Sequence, residues 1–278
     1  MYALEVKGLT KKYSTFTLEN VEFSVDKGKI TGLIGRNGAG KSTTLKGILN
    51  LIKTNGSVRY FDEDFFCNEG TIKQRIGYVN GGFEYYRLKP LFAITKTVSS
   101  FYTNWNDELY RKYMNLFKLD ERKKVSELSE GMKVKYSITL ALSHNAEILI
   151  MDEPTSGLDP LSREEFCDII LDLNKNQGIT VLFSTHITSD LMRIADDVIY
   201  ISGGKVIMQE QLERVLNKYH VINFATEDEA KNYNGLIGLK RVKSGFAALT
   251  ELQSDKTKKA SLDDIMIHFE VERGGTYA

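Results

Sequence analysis

The chain has 278 residues, 42% apolar and 27% charged, with 37 basic side chains against 37 acidic ones. That length supports one large domain or two modest ones, and the zero formal charge gives no global pull toward nucleic acid or an anionic membrane. Neither the opening MYALEVKGLTKKY nor any later apolar run has the form of a signal peptide or a bilayer span, so the expected location is cytosolic, with any membrane role supplied by a partner chain.

In chain order, Ala3 to Leu9 and Phe16 to Val25 read as strands around a polar turn at Lys12 to Thr15. Ile30 to Ile34 reads as a buried strand ending in glycine. Leu45, Ile48, Leu49 and Ile52 then recur at helix spacing. Ser57 to Phe61 reads as a strand, and Asp62-Glu63-Asp64 as a solvated loop rather than a metal site. Ile76 to Val79 is a short strand. From about Leu88 to Leu142 strand signals are few; Leu109, Tyr113, Leu116 and Phe117 share one helical face, and another helix should start near Ser129. Ile148 to Met151 is a strand, Phe166, Ile169, Ile170 and Leu173 mark a helix, and Ile179 to Phe183 is a strand. A short helix over Thr188 to Ala195 follows, then strands Val198 to Ile201 and Lys205 to Met208 across Gly203-Gly204.

Alternating strands and helices predict an α/β parallel sheet with a helical insertion. From about Gln211 the pattern changes to a helix over Leu212 to Tyr219, short mixed segments, and a last helix capped at Ser261. The two cysteines, Cys67 and Cys167, lack metal-ligand spacing and are read as free buried thiols in a reducing compartment.

The turn after Ile34 is GRNGAGKST, which fits G-x-x-x-x-G-K-[ST] at Gly35, Gly40, Lys41 and Ser42. Gly35, Gly38 and Gly40 let the backbone curl and aim its N–H groups at one point, and the following helix adds its positive end. Lys41 can reach β- and γ-phosphates, and the Ser42 hydroxyl can hold Mg²⁺. A chance glycine-rich turn is the weaker reading, because the preceding strand and following helix supply the required context. The strand Ile148 to Met151 ends in Asp152 and Glu153, acids that are costly at a core edge unless paired. Beside a phosphate loop, Asp152 would contact Mg²⁺ or its water shell, and Glu153 would act as general base toward the attacking water.

Further segments resemble the motifs of ABC ATPases. Leu128-Ser129-Glu130-Gly131-Met132 resembles the LSGGQ signature, and Pro154-Thr155-Ser156-Gly157-Leu158-Asp159 resembles the D-loop. His186, after Phe183-Ser184-Thr185, matches the switch histidine, and Tyr13 the aromatic that stacks on adenine. The resemblance covers about residues 1 to 210. It implies a P-loop, RecA-like parallel sheet core with an N-terminal antiparallel β subdomain, a helical subdomain at about 84–145 and a small C-terminal accessory region at 211–278. It implies an ATP-binding set of Tyr13, Gly35, Asn37, Gly38, Ala39, Gly40, Lys41, Ser42 and Thr43, with Mg²⁺ at Ser42 and Asp152 and catalysis by Glu153 and His186. It also implies a head-to-tail dimer, in which Ser129 and Gly131 of one subunit reach the nucleotide of the other and Asp159 runs along the seam. The implied partners are a second nucleotide-binding subunit and separate transmembrane permease subunits, with no nucleic acid. The subunit would lie peripherally on the inner face of the cell membrane and energise transport, with export as the expected direction; a low-turnover regulator and a soluble ATPase acting on DNA or ribosomes are the competing readings. His144, His220 and His268 carry no such support and are read as structural.

Two motifs depart from the family. No glutamine follows Ile76-Gly77-Tyr78-Val79; Asn80, Gly81 and Gly82 stand there, so hydrolysis is slower or a water or Glu84 fills the gap. The signature carries Glu130 and Met132 where Gly and Gln are usual, and Glu130 should point away from phosphate. These variants resemble ATPase subunits of small ABC-2-type Gram-positive exporters, including those that expel amphipathic peptides such as phenol-soluble modulins. Phe83-Glu84-Tyr85-Tyr86-Arg87-Leu88 reads equally as core packing or as the place where the family receives a helix of the membrane subunit.

Overall fold

The structure is a computed structural model that describes residues 1–81 and 86–274. Two compact units divide it, Met1–Gln209 and Glu210–Ala278. The first opens with β1 (Tyr2–Lys12), β2 (Thr17–Asp26), β3 (Ile30–Ile34), α1 (Lys41–Ile48), β4 (Asn55–Tyr60), β5 (Glu63–Asp64), α2 (Glu69–Lys73) and β6 (Ile76–Asn80). Then come α3 (Leu91–Ser99), α4 (Asp107–Leu116), α5 (Glu130–Ser143), β7 (Ile148–Asp152), α6 (Pro160–Gln177), β8 (Thr180–Thr185), α7 (Thr188–Ile194), β9 (Asp197–Ser202) and β10 (Lys205–Gln211).

A six-stranded sheet in the order β10-β9-β3-β8-β7-β6 forms the centre. β6, β7, β8, β3 and β9 are parallel neighbours in turn. Every residue of β3, β7, β8 and β9 is buried, which explains their unbroken apolar runs: a parallel sheet covered on both faces has no polar side to alternate with. Register places Asp152 level with Asn80 on β6 and Ser184 on β8, and Ile34 level with Thr185. The carboxyl ends of these strands therefore finish together, and the loops leaving them can meet.

The antiparallel sheet has the order β2-β1-β4-β5. Its inward residues, among them Leu4, Val6, Leu18, Val21 and Val58, join Leu33, Leu45, Ile48, Ile150 and Leu182 in one apolar core. The acidic triplet departs from its expected loop. Glu63 and Asp64 pair with Tyr60 and Arg59 as a short strand, and Glu63 meets Arg75 at 3.0 Å.

In the helical stretch, the Thr95 hydroxyl bonds the hydroxyls of Tyr110 at 3.1 Å and Tyr136 at 2.8 Å, tying α3, α4 and α5 together. The packed face of α4 is Tyr110, Tyr113 and Met114; Leu116, expected inside, is 61% exposed. Tyr110, whose hydroxyl bonds Thr95, lies on the inner side, so the packed stripe is rotated from the expected one. Cys167 is buried as expected, but Cys67 is exposed in the turn after β5.

The second unit holds α8 (Leu212–Lys218), β11 (His220–Phe224), α9 (Glu227–Lys231), β12 (Ile237–Val242), β13 (Gly245–Thr250), β14 (Thr257–Lys259) and α10 (Leu262–Glu272). Its strands form an antiparallel sheet in the order β12-β13-β11-β14, a sheet the sequence showed only as mixed segments. Ser261 and Asp264 cap α10 reciprocally. His268 donates from Nδ1 to the Gly238 carbonyl at 2.6 Å. Among the described residues no helix is long and apolar enough to cross a membrane.

Candidate active site

The phosphate loop leaves β3 and enters α1 through glycines with no substitute. Gly38 has φ 81° and Gly40, the N-cap of α1, has φ 114°, conformations that penalise any Cβ. A Cβ on Gly35 would lie 2.2 Å from the Ile201 carbonyl oxygen. Lys41 is buried; its Nζ donates to the Gly35 carbonyl at 2.8 Å and lies 3.1 Å from Glu153 Oε1. Ala39, also buried, anchors the loop by accepting from Gly204 N–H at 3.0 Å.

β7 delivers the two acids. Asp152 is buried, and its Oδ1 accepts from Ser42 Oγ at 3.0 Å and Ser184 Oγ at 2.7 Å. Glu153 has φ 48°, a left-handed turn that is rare for a residue with a side chain and that swings it off the strand line. Its Oε2 meets His186 Nδ1 at 2.8 Å. One carboxylate thus bridges the loop lysine and the histidine that follows β8.

These side chains line one cleft of about 780 Å³. Its lining comprises Asn37, Gly38, Gly40, Lys41, Ser42 and Thr43 of the phosphate loop and α1, Glu153 and His186 from the strand ends, and Tyr13, Ser14, Thr15 and Phe16. Tyr13 is 42% exposed, with its ring 6.5 Å from that of Phe16. Gly35, Ala39 and Asp152 lie beneath the surface and support it.

Ser129, Gly131 and Asp159 line none of this cleft and gather elsewhere. Ser129 caps α5 by accepting from Met132 N–H at 3.2 Å. Asp159 caps α6, accepting from Leu161 and Ser162 N–H at 3.0 Å and from Ser162 Oγ at 2.6 Å. The Ser162 hydroxyl, first among these bonds, holds the Asp159 carboxyl below its usual range. A Cβ on Gly131 would come 3.3 Å from the same Ser162 hydroxyl, so signature and D-loop share one surface. Glu130 is turned onto Lys133, 2.6 Å away, which neutralises it.

Sequence reasoning missed Ser184, whose signal was a hydroxyl inside an apolar strand, and missed Ser14, Thr15, Phe16 and Ser156 as cleft residues. Asn80 lines a different cavity, with Lys46, Tyr78 and Tyr102. Gly82, Phe83, Glu84 and Tyr85 lie outside the described residues; the neighbouring Tyr86 and Leu88 are 68% and 77% exposed.

Comparison with known proteins bears on the same segments. The ABC transporter family model matches residues 18–156. The bacitracin transport ATP-binding protein BcrA of Bacillus licheniformis is 35% identical over 237 residues, covering 82% of this chain and 76% of its own length. The lantibiotic transport ATP-binding protein SrtF of Streptococcus pyogenes is 31% identical over 224 residues, covering 79% of this chain and 96% of its own. The dimeric structure of MJ0796, a bacterial ABC transporter cassette, superposes with a TM-score of 0.64 at 26% identity, covering 75% of this chain and 98% of that one. The chain belongs to the ABC transporter family, as an ATP-binding and ATP-hydrolysing subunit.

Proposed function

We propose that ATP occupies the cleft with its adenine against Tyr13 and Phe16 and its phosphates on the N–H groups of residues 37–43. Lys41 supplies a point charge to the terminal phosphates. Glu153 takes a proton from the attacking water, and His186, bonded to Glu153 Oε2, fixes that carboxylate and the γ-phosphate. The observation that carries the reading is the Lys41–Glu153–His186 chain within a single cleft. Asp152 and Ser42 fit a Mg²⁺ site: a buried carboxylate beside a hydroxyl at 3.0 Å gives hard oxygen donors, few in number, as suits an ion shared with phosphates. Bound there, Mg²⁺ would neutralise charge on the phosphoryl oxygens.

Two subunits pair head to tail, each offering Ser129, Gly131 and Asp159 to the nucleotide of the other. The split between the two groups of residues supports this, since one chain's signature serves no phosphate in its own cleft. Separate membrane subunits carry the cargo, and the pair sits on the inner face of the membrane. Relatives whose names specify bacitracin and lantibiotic transport support export of an amphipathic peptide. Residues 1–210 form the cassette and 211–278 an accessory region. One observation favours the slower, regulatory alternative: Asn80 faces a cavity other than the ATP cleft.

Glu153→Gln tests the reading. The variant should bind ATP, fail to turn it over and accumulate as a dimer on size exclusion with MgATP. Steady turnover in the variant removes Glu153 as the base.

A further inference from the structure

Ser184 is fully buried in β8, among Val181, Leu182 and Phe183. β8 lies between β3, which feeds the phosphate loop, and β7, which ends in Asp152. Parallel register sets Ser184 level with Leu33 on one side and Asp152 on the other. Its hydroxyl uses both of its capacities. It donates to Asp152 Oδ1 at 2.7 Å and accepts from Glu153 N–H at 2.9 Å.

Each bond has a consequence. Oδ1 also accepts from Ser42, whereas Oδ2 accepts no hydrogen bond from the described residues. The carboxylate is therefore held by one oxygen, and its orientation is set. Glu153 stands at φ 48°, off its strand, and a part-buried N–H in such a turn needs a partner outside the ladder. Ser184 supplies that partner. Its loss would leave the N–H unpaired and the carboxylate with one donor fewer.

We propose that Ser184 is a positioning residue for ATP hydrolysis: its single hydroxyl fixes the Asp152 carboxylate toward the cation carried by the nucleotide and holds the turn that aims Glu153 into the cleft. This rests on the roles given above to Asp152 and Glu153. Neither assignment requires a second hydroxyl beside that of Ser42, so the role of Ser184 stands or falls separately.

Ser184→Thr and Ser184→Val share a shape and differ in the hydroxyl, and Ser184→Ala carries the test if the larger pair does not fold. Three readouts apply: kcat with KM for MgATP, Mn²⁺ binding with a non-hydrolysable ATP analogue by electron paramagnetic resonance, and ATP affinity in excess chelator. The alanine and valine variants should lose about ten- to a hundredfold in kcat and bind Mn²⁺ more weakly. Their metal-free ATP affinity should stay within about twofold of wild type, below any large free-energy change. The threonine variant should recover both kcat and Mn²⁺ binding. Equal values for threonine and valine overturn the proposal, as does a matching loss of metal-free ATP binding, which would make the effect one on the whole cleft. Glu153→Gln run alongside separates the two claims. If it still turns over ATP, the underlying reading fails; if it is dead while Ser184→Val and Ser184→Ala are unimpaired, only the role of Ser184 falls.

Discussion

A side chain at position 81 would force its surroundings to shift. A Cβ on Gly81 would lie 2.1 Å from the Glu153 carbonyl oxygen, and the Gly81 N–H already donates to the Asp152 carbonyl at 2.8 Å. The backbone after β6 is thus laid directly on the turn that carries the two acids. The close approach goes with the glycine, and a glutamine placed here would push the acid turn out of its present position. At Asn80, one residue earlier and half-buried, a longer amide has the second cavity to enter. Gly81→Gln should therefore cost about 1–3 kcal/mol through overpacking, lowering Tm by roughly 3–10 °C for a unit of this size. Asn80→Gln should stay within about 0.5 kcal/mol of wild type. Thermal unfolding of the two variants in parallel checks this, and a Gly81→Gln protein as stable as wild type would show that the turn yields freely.

At the scale of elements, α5 ends on His144, where a helix C-terminus favours a cation. The ring is instead buried, stacked on Tyr102 at 3.7 Å, and placed to donate from Nδ1 to the Gln74 carbonyl at 3.0 Å. Burial is the larger effect and lowers its pKa; burial does the same to His268 on α10. A lowered folded-state pKa means the unfolded chain takes up protons first. Stability from these groups is complete above about pH 6.5 and is lost as pH falls toward the folded-state values. Both imidazoles should titrate below the ordinary histidine range by NMR, with the urea midpoint falling over the same interval. A titration at or above that range in either ring would mean that its site is wetter than the packing implies. What could be read from sequence follows the same scale. The phosphate loop, the acid-bearing strand and the cap at Ser129 are local patterns with fixed spacing, and they were legible. Leu116 turns outward on a helix whose inner face is set by packing against other helices, including the Tyr110 bond to α3, and the sheet of the second unit includes strands such as Thr257–Lys259, too short to show alternation. Ser184 and Gly81 matter through neighbours far off in sequence, which no local pattern reports.

At the scale of the whole molecule, the candidate site residues form two groups: Lys41, Ser42, Glu153 and His186 at the cleft, and, outside it, Gly131 and Asp159 beside Ser162 with Ser129 capping the helix that carries Gly131. The two-fold dimer proposed above would account for this, because an isologous interface would give each cleft the other subunit's signature. Complementation tests it. Lys41→Ala removes the phosphate charge, and Ser129→Asp keeps α5 capped while opposing a phosphate. Alone, each variant has two defective sites per dimer and should be inactive. Mixed, the heterodimer gathers both defects in one site and leaves the other intact. Half the dimers in an equal mixture are heterodimers, so turnover should return to about a quarter of wild type when the two sites act independently. A chain that hydrolyses ATP alone, or a pair joined without exchanging signatures, recovers nothing on mixing, and a rate no higher than the mean of the two variants would rule out the shared site.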